Sequence, residues 1–217
     1  RRKKMFDKSA IEQVIMAAKR LEEKGYVDAG AGNISVKSGD YIYITPSGTN
    51  KAFLTEEMIA VIDKDMNQVG GTIKASSEMR LHYILYYRLN KEVGAVVHCH
   101  SPYLTAHAIT HTPVECYGYS EIIALFDKIE VCPYATPGTD GVAEEALPYF
   151  ARNNIVLLGN HGAVSVGRNV IEAMNTMESA ECAAKVIATA KSIGSVKLIP
   201  EGDIALLQKN HDRLVLK

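Results

Sequence analysis

Ile11, Val14, Ile15, Ala18 and Leu21 recur at intervals of three and four residues. Such spacing lines one face of a helix, so the chain is expected to be helical over about residues 8–24, with Gly25 ending the run. The pattern then shortens. Residues 33–37 and 41–45 read as two strands joined through Ser38-Gly39-Asp40, a hairpin. A short strand is expected over 58–63, stopped by Asp63-Lys64-Asp65. Ser76-Ser77 can cap a helix over about 77–89 that carries Met79, Tyr83 and Tyr86 along one side. The apolar run Val93-Gly94-Ala95-Val96-Val97 marks a buried strand over 93–100. Ser101-Pro102 suits the N-cap and first position of a helix over 102–110, and Pro113 forbids its continuation. Beyond it the pattern predicts a helix at 120–126, a strand at 129–134, a helix at 140–152, and strands at 155–160 and 163–166. Val170, Ala173, Met174, Met177, Ala180 and Ala184 form the inner stripe of a long helix over 169–193. Pro200 separates a last short helix at about 203–210. With no repeat and no break in composition, residues 5–217 read as one α/β domain with helices covering a sheet. Residues 1–4 read as a basic extension.

Composition narrows the function classes. The chain has 217 residues, 47% of them hydrophobic, enough for a substantial core. Its 24 basic and 25 acidic residues leave a net charge of −1, which gives no field for nucleic acid or a membrane surface. No apolar run reaches the roughly 18 residues of a membrane span. Cys99, Cys116, Cys132 and Cys182 are scattered, without a Cys-x-x-Cys pair, so reduced thiols and a cytoplasmic location are expected. The basic start is followed by no apolar signal core.

Candidate chemistry sits where strands end. His98 and His100 flank Cys99, and residues i and i+2 of a strand point to the same face. Both imidazoles therefore project together, at a separation that suits one metal ion. Alone, the pair also reads as hydrogen-bonded histidines at a strand edge. His161 closes a second apolar run, Ile155–Asn160, just before Gly162. Three histidines with a fourth position open describe a catalytic zinc site better than a structural one. Glu78, after Ser76-Ser77, falls in the first turn of a helix. It reads equally as a carboxylate placed against the helix dipole and as a base beside a metal. Gly32-Asn33, Ser47-Gly48 and Ser76-Ser77 are small-residue loops able to hold an anion, although each alone is ordinary turn chemistry. His107 and His111 read as surface or interface residues, His82 as a structural partner of Glu78, and His211 as solvated. No lysine stands out as buried.

Six short motifs then fall in a familiar order and spacing: Gly-Asn-Ile-Ser (32–35), Thr-Pro-Ser-Gly (45–48), Ser-Ser-Glu (76–78), His-Cys-His (98–100), Tyr-Ala-Thr-Pro-Gly-Thr (134–139) and Asn-His-Gly (160–162). Over about residues 8–195 the chain resembles the class II aldolase/adducin family. The resemblance implies a three-layer α/β/α fold around a central, largely antiparallel sheet. It also implies a four-fold symmetric homotetramer with active sites at subunit interfaces. The implied reaction is reversible cleavage of a ketose 1-phosphate, such as L-fuculose 1-phosphate, to dihydroxyacetone phosphate and an aldehyde such as lactaldehyde. One Zn2+ per subunit would be held by His98, His100 and His161. Glu78 would be the acid/base and a possible fourth ligand. Asn33, Ser47, Gly48, Ser76 and Ser77 match the phosphate-binding positions. Tyr117 matches a proton donor supplied by a neighbouring subunit, with Tyr119 close by.

The resemblance also marks a departure and a choice. Aldolases of this kind carry a tyrosine in the C-terminal tail; here no tyrosine follows Tyr149, and Arg213 lies near the corresponding place. The sister 4-epimerases have Asp where this chain has Glu78, dehydratases usually lack the Ser-Ser-Glu triplet, and adducin-like interaction modules lack the full metal set. The aldolase branch is therefore the expectation. An epimerase or dehydratase on the same metal site, or a non-catalytic interaction module, is the alternative.

Overall fold

Asp7 opens the first helix: its carboxylate accepts from the Ser9 and Ala10 N–H groups, satisfying two donors that a helix start otherwise leaves unpaired. The computed structural model describes residues 6–217, so the basic extension at 1–4 lies outside the described residues. Helix α1, Lys8–Glu23, buries Ala10, Val14, Ala17, Ala18 and Leu21.

Among the described residues, eight strands form one sheet. They are β1 Asn33–Ser38, β2 Tyr41–Ile44, β3 Ala60–Ile62, β4 Gln68–Gly70, β5 Ala95–Cys99, β6 Val131–Cys132, β7 Ile155–Leu158 and β8 Gly162–Gly167. Their order across the sheet is β4-β3-β2-β1-β5-β8-β7-β6. Every pairing is antiparallel except that of β6 with β7. Helices cover both faces. On one side lie α1, α3 (Pro102–Ile109), α4 (Ser120–Phe126) and α6 (Val170–Ile193), with α7 (Glu201–Leu214) outside them. On the other lie α2 (Met79–Arg88) and α5 (Gly141–Ala146). This is the expected α/β/α sandwich around a largely antiparallel sheet.

Strand alternation divides the residues between the layers. On β5, Ala95, Val97 and Cys99 join the α1/α6 core, whereas Val96 packs on the α2/α5 side. His98 shares the face of Val96, and it pairs directly with Asn33 of β1. The two middle strands thus bring a histidine and an asparagine to one spot on the α2/α5 face.

Buried polar groups fix the elements around that spot. Glu181 of α6 is 4% exposed. Its carboxylate accepts from Ser101 Oγ at 2.8 Å and from the Tyr103 and Leu104 N–H groups at 2.9 and 2.8 Å. A carboxylate on a helix N-terminus is favourable, and this one docks α3, and with it the 98–101 segment, against α6.

Several expectations shift. The strand expected over 58–63 begins only at Ala60, after a tight turn at Glu56–Met58. The three-residue edge strand β4 was not foreseen; it pairs with β3 across a bulge. The helix expected over 140–152 stops at Ala146 and continues as a 3-10 turn, Leu147–Ala151, because Pro148 has no N–H to extend it. Helix α2 starts at Met79 with Glu78 at the N-cap, and Ser76 Oγ accepts from the Glu78 N–H in the turn ahead of it. His211 is not solvated. It is 6% exposed, with Nδ1 3.0 Å from the Leu125 carbonyl and Nε2 2.9 Å from that of Arg152. Lys51 is fully buried, and its Nζ donates to the Gly30 and Thr49 carbonyls. No helix among the described residues is long and apolar enough to cross a membrane.

Candidate active site

Two strand ends and a tight turn deliver the histidines. His98 is the last residue but one of β5, and His100 lies just past the strand's end with the same parity. His161 sits in the turn between β7 and β8, where Asn160 adopts φ +57°, a conformation asparagine tolerates better than most residues. The Asn160 side chain is held by His111, 2.7 Å away, so this turn residue is pinned from outside the sheet. Gly162 must be small: a Cβ there would lie 2.8 Å from the His100 ring and 2.5 Å from the Cys99 carbonyl.

The three rings face one another with centroids 4.7–5.0 Å apart. One nitrogen from each lies within 4.8 Å of the others. His98 Nδ1 is 2.9 Å from the Ala163 carbonyl, which fixes a proton on Nδ1 and turns Nε2 toward the centre. His98 Nε2 and His100 Nε2 are 3.1 Å apart. Two nitrogens sharing a tetrahedral zinc at about 2.0–2.1 Å stand about 3.4 Å apart, so the spacing fits a shared cation.

Glu78 faces the cluster. Its Oε2 is 3.1 Å from His98 Nε2 and its Oε1 is 3.5 Å from His161 Nε2. Oε1 has no hydrogen-bond partner among the described residues although it is buried. A buried carboxylate oxygen left in that state and aimed at three imidazoles is what a divalent ion would satisfy. Burial alone would raise the Glu78 carboxyl; the charge and hydrogen bond of His98, then His161 and the amide of Asn33, more than offset it and hold it well below its ordinary value. Burial, and then the charge of His98, pushes His100 and His161 down to about 4. Both rings are therefore neutral at pH 7, as metal ligands must be.

A cavity of about 230 Å³ opens in front of these groups. Its lining includes Asn33, Ser47, Gly48, Ser76, Ser77 and Glu78, together with His100 and His161. Ser47, Gly48 and Ser77 are exposed and Asn33 is buried. The three small-residue loops thus converge from three separate parts of the chain. Gly32 permits it: its φ is +68°, and a Cβ would lie 2.5 Å from Val27 and 2.9 Å from the His98 carbonyl. Lys51 ties two of the loops together from behind, through Gly30 and Thr49. A larger cavity of about 810 Å³ runs along α6 and residues 213–217, but no histidine or cysteine lines it.

Tyr117 stands apart. It is 37% exposed and does not line the 230 Å³ cavity of its own chain. Burial first, then the nearby Asp127 and Glu115 charges, raises its hydroxyl. Tyr119 is partly buried against the core. Pro46 and Pro137 also line the cavity; both lie in the motifs quoted above but were not singled out. Neither Ser35 nor Tyr86 is connected to the site by sequence reasoning, although Asn33 and Ser35 at i and i+2 on an apolar strand signal a polar patch. His82, expected against Glu78, instead meets Asn33 and Ser35, and reaches Glu78 only through Asn33.

Fold and site together define an α/β/α protein able to hold a metal ion at a three-histidine cluster beside a buried carboxylate. Residues 12–188 match the family model described as class II aldolase and adducin N-terminal domain, and the chain belongs to that family. It is an enzyme of the class II aldolase type. Its relatives include the 5-deoxy-D-ribulose 1-phosphate aldolase of Bacillus thuringiensis serovar kurstaki, 31% identical over 93% of this chain and 94% of that protein. The 3-oxo-tetronate 4-phosphate decarboxylase of Haemophilus influenzae is 32% identical over 85% of this chain and 90% of that protein. Among solved structures, an L-fuculose 1-phosphate aldolase superimposes with a TM-score of 0.86 at 29% identity, over 96% of this chain and 98% of that one.

Proposed function

We propose that residues 5–217 act as one catalytic domain: a zinc-dependent aldolase that reversibly cleaves a ketose 1-phosphate, L-fuculose 1-phosphate or a close analogue, to dihydroxyacetone phosphate and an aldehyde such as lactaldehyde. The observation that carries this reading is Glu78. It is an ionised, buried carboxylate facing the histidine cluster, and it lines the same cavity as the anion-holding loops.

His98, His100 and His161 would hold the ion, with Glu78 as a fourth ligand before substrate binds. Zinc, when bound, supplies an electron sink for the substrate ketone. Asn33, Ser47, Gly48, Ser76 and Ser77 grip the phosphate and so set the carbon chain against the cluster. Glu78 hands a proton to the carbon that becomes the hydroxymethyl group of dihydroxyacetone phosphate, and takes it back in the condensation direction. Tyr117, reaching over from a neighbouring copy in a homotetramer, exchanges the proton of the hydroxyl at the cleaved bond. Its exposure and its absence from its own cavity support that assignment over Tyr119.

A second reading has a specific basis in the decarboxylase relative. Loss of CO2 from a 3-oxo-tetronate 4-phosphate and cleavage of a ketose 1-phosphate leave the same enediolate of dihydroxyacetone phosphate. Only the departing group differs. A product panel separates the readings: L-fuculose 1-phosphate, 5-deoxyribulose 1-phosphate, ribulose 5-phosphate and 3-oxo-tetronate 4-phosphate, each with and without chelator. The aldolase reading expects chelator-sensitive release of dihydroxyacetone phosphate with an aldehyde from a ketose 1-phosphate. Epimerised ribulose 5-phosphate alone, or CO2 release alone, would overturn it.

A further inference from the structure

Behind Glu78 runs a line of buried polar groups of which the proposed chemistry uses only Asn33. Glu78 Oε2 is 2.8 Å from Asn33 Nδ2. Asn33 Oδ1 meets His82 Nε2. His82 Nδ1 is 2.7 Å from Ser35 Oγ, and Ser35 Oγ is 2.8 Å from the Tyr86 hydroxyl. Ser35 and His82 are completely buried, and Asn33, Tyr86 and Glu78 are 3%, 6% and 8% exposed.

Hydrogen-bond chemistry permits one direction along this line. An ionised carboxylate only accepts, so Asn33 must turn its amide N–H to Glu78. That leaves the Asn33 carbonyl for His82, so the imidazole proton must be on Nε2. Nδ1 then accepts, Ser35 donates to it, and the Ser35 oxygen accepts a hydrogen bond from the Tyr86 hydroxyl. Flipping the Asn33 amide would set its carbonyl oxygen 2.8 Å from the carboxylate oxygen, acceptor against acceptor, in a buried place. Asn33 also lines the cavity next to the small-residue loops. One amide therefore sets both the carboxylate and part of the anion cradle.

We infer that His82, held as its Nε2–H tautomer by Ser35 and Tyr86, is a positioning residue that locks the Asn33 amide and through it aims Glu78. Its role rests on the aldolase reading, in which Glu78 moves the proton and Asn33 touches the phosphate. It contacts neither substrate nor ion.

The test joins a spectroscopic readout with kinetics. Long-range 15N–1H spectra of the histidine rings of the intact zinc-free protein at pH 7 should show His82 as the Nε2–H tautomer; an Nδ1–H ring or an imidazolium would overturn the inference. In the zinc-loaded protein, His82→Leu should lower kcat per folded molecule by about 10–100-fold, the usual loss when a supporting hydrogen bond is removed, with zinc content unchanged. His82→Gln, which keeps an N–H in reach of the Asn33 carbonyl, should recover most of the loss. Because His82 acts through Asn33, the His82→Leu/Asn33→Ala double variant should be no slower than Asn33→Ala. Full kcat in His82→Leu, or multiplicative losses in the double variant, would contradict the inference. If the wild-type protein exchanges no proton into dihydroxyacetone phosphate, the functional reading fails instead, and the ring spectrum still decides the direction of the chain.

Discussion

On the α6 side of β1 and β5, Ile34, Val36, Ala95, Val97 and Cys99 pack in a dry core. One residue along, on the α2 side, Asn33, Ser35 and His98 are just as deeply buried and all polar. The same two strands and the same ladder carry both sets. What differs is how burial is compensated. The apolar face gains from leaving water, about 1.5–3 kcal/mol for each large side chain. The polar face gains little by burial and must pair each donor and acceptor or leave it for a ligand. At the candidate site, Glu78 Oε1 and His161 Nδ1 are buried without a hydrogen-bond partner among the described residues. Chemistry is thus confined to a polar patch at the Asn33 and His98 ends of β1 and β5; the rest of the α2 face, Val96 with Ile42 and Ile44, is apolar core like its opposite.

Glu78→Gln on the polar face breaks the comparison most sharply. It should cut proton exchange into dihydroxyacetone phosphate about 10³-fold, about 4 kcal/mol of barrier, while zinc content and the unfolding midpoint stay near wild type. Exchange at near wild-type rate would remove Glu78 from its role. Ile34→Ala on the opposite face should do the reverse. Urea unfolding should register a loss of about 3 kcal/mol from the cavity, and kcat per folded molecule should hold within about two-fold, as expected for a substitution outside the site.

Acid sharpens the contrast next. Burial first, then the charge of His98, with Glu78 opposing, holds the His82 ring at a pKa of about 3, against an ordinary value of 6.5. Above pH 6.5 neither folded nor unfolded state protonates it. As pH falls below 6.5 the unfolded chain gains a proton that the fold refuses, so stability declines toward pH 3. Between pH 7 and pH 5 His82 should account for a loss of about 2 kcal/mol. The zinc-free wild type should lose that much more than zinc-free His82→Gln in urea titrations at the two pH values; equal losses would deny the ring its buried neutral state. The smallest effect is expected at Lys51, whose ammonium joins two loops of the cavity from behind. Lys51→Met should raise KM for a ketose 1-phosphate about 10-fold, about 1.4 kcal/mol, with little change in kcat. A fall in kcat at constant KM would place Lys51 in the chemistry instead.

Much of this was legible in the chain, for physical reasons that can be named. A His-x-His at the end of an apolar strand leaves few arrangements other than two rings side by side, and His161 closes another such strand; the structure brings all three together. Helical stripes such as Val170 to Ala184 marked α6 because burial there has a clean period. Misreadings came where tertiary contacts override local cues. His211 lies six residues from the end of the chain, yet α7 is pressed against α4 and the ring is caught between two carbonyls. Lys51 carries a charge in a loop, and only the meeting of Gly30 and Thr49 encloses it. The direction of the Tyr86-to-Glu78 line was invisible because it depends on two elements, β1 and α2, meeting at hydrogen-bond distance.

The measurement that bears most directly on the metal-and-carboxylate account is solvent deuterium incorporation into dihydroxyacetone phosphate, followed alongside metal content and circular dichroism. Incorporation at one carbon-bound position should proceed with one zinc per chain, stop when a chelator removes it without loss of fold, and return on adding zinc. Incorporation that continues at full rate in metal-free protein, or that never occurs with His98, His100 and His161 loaded, would contradict the account.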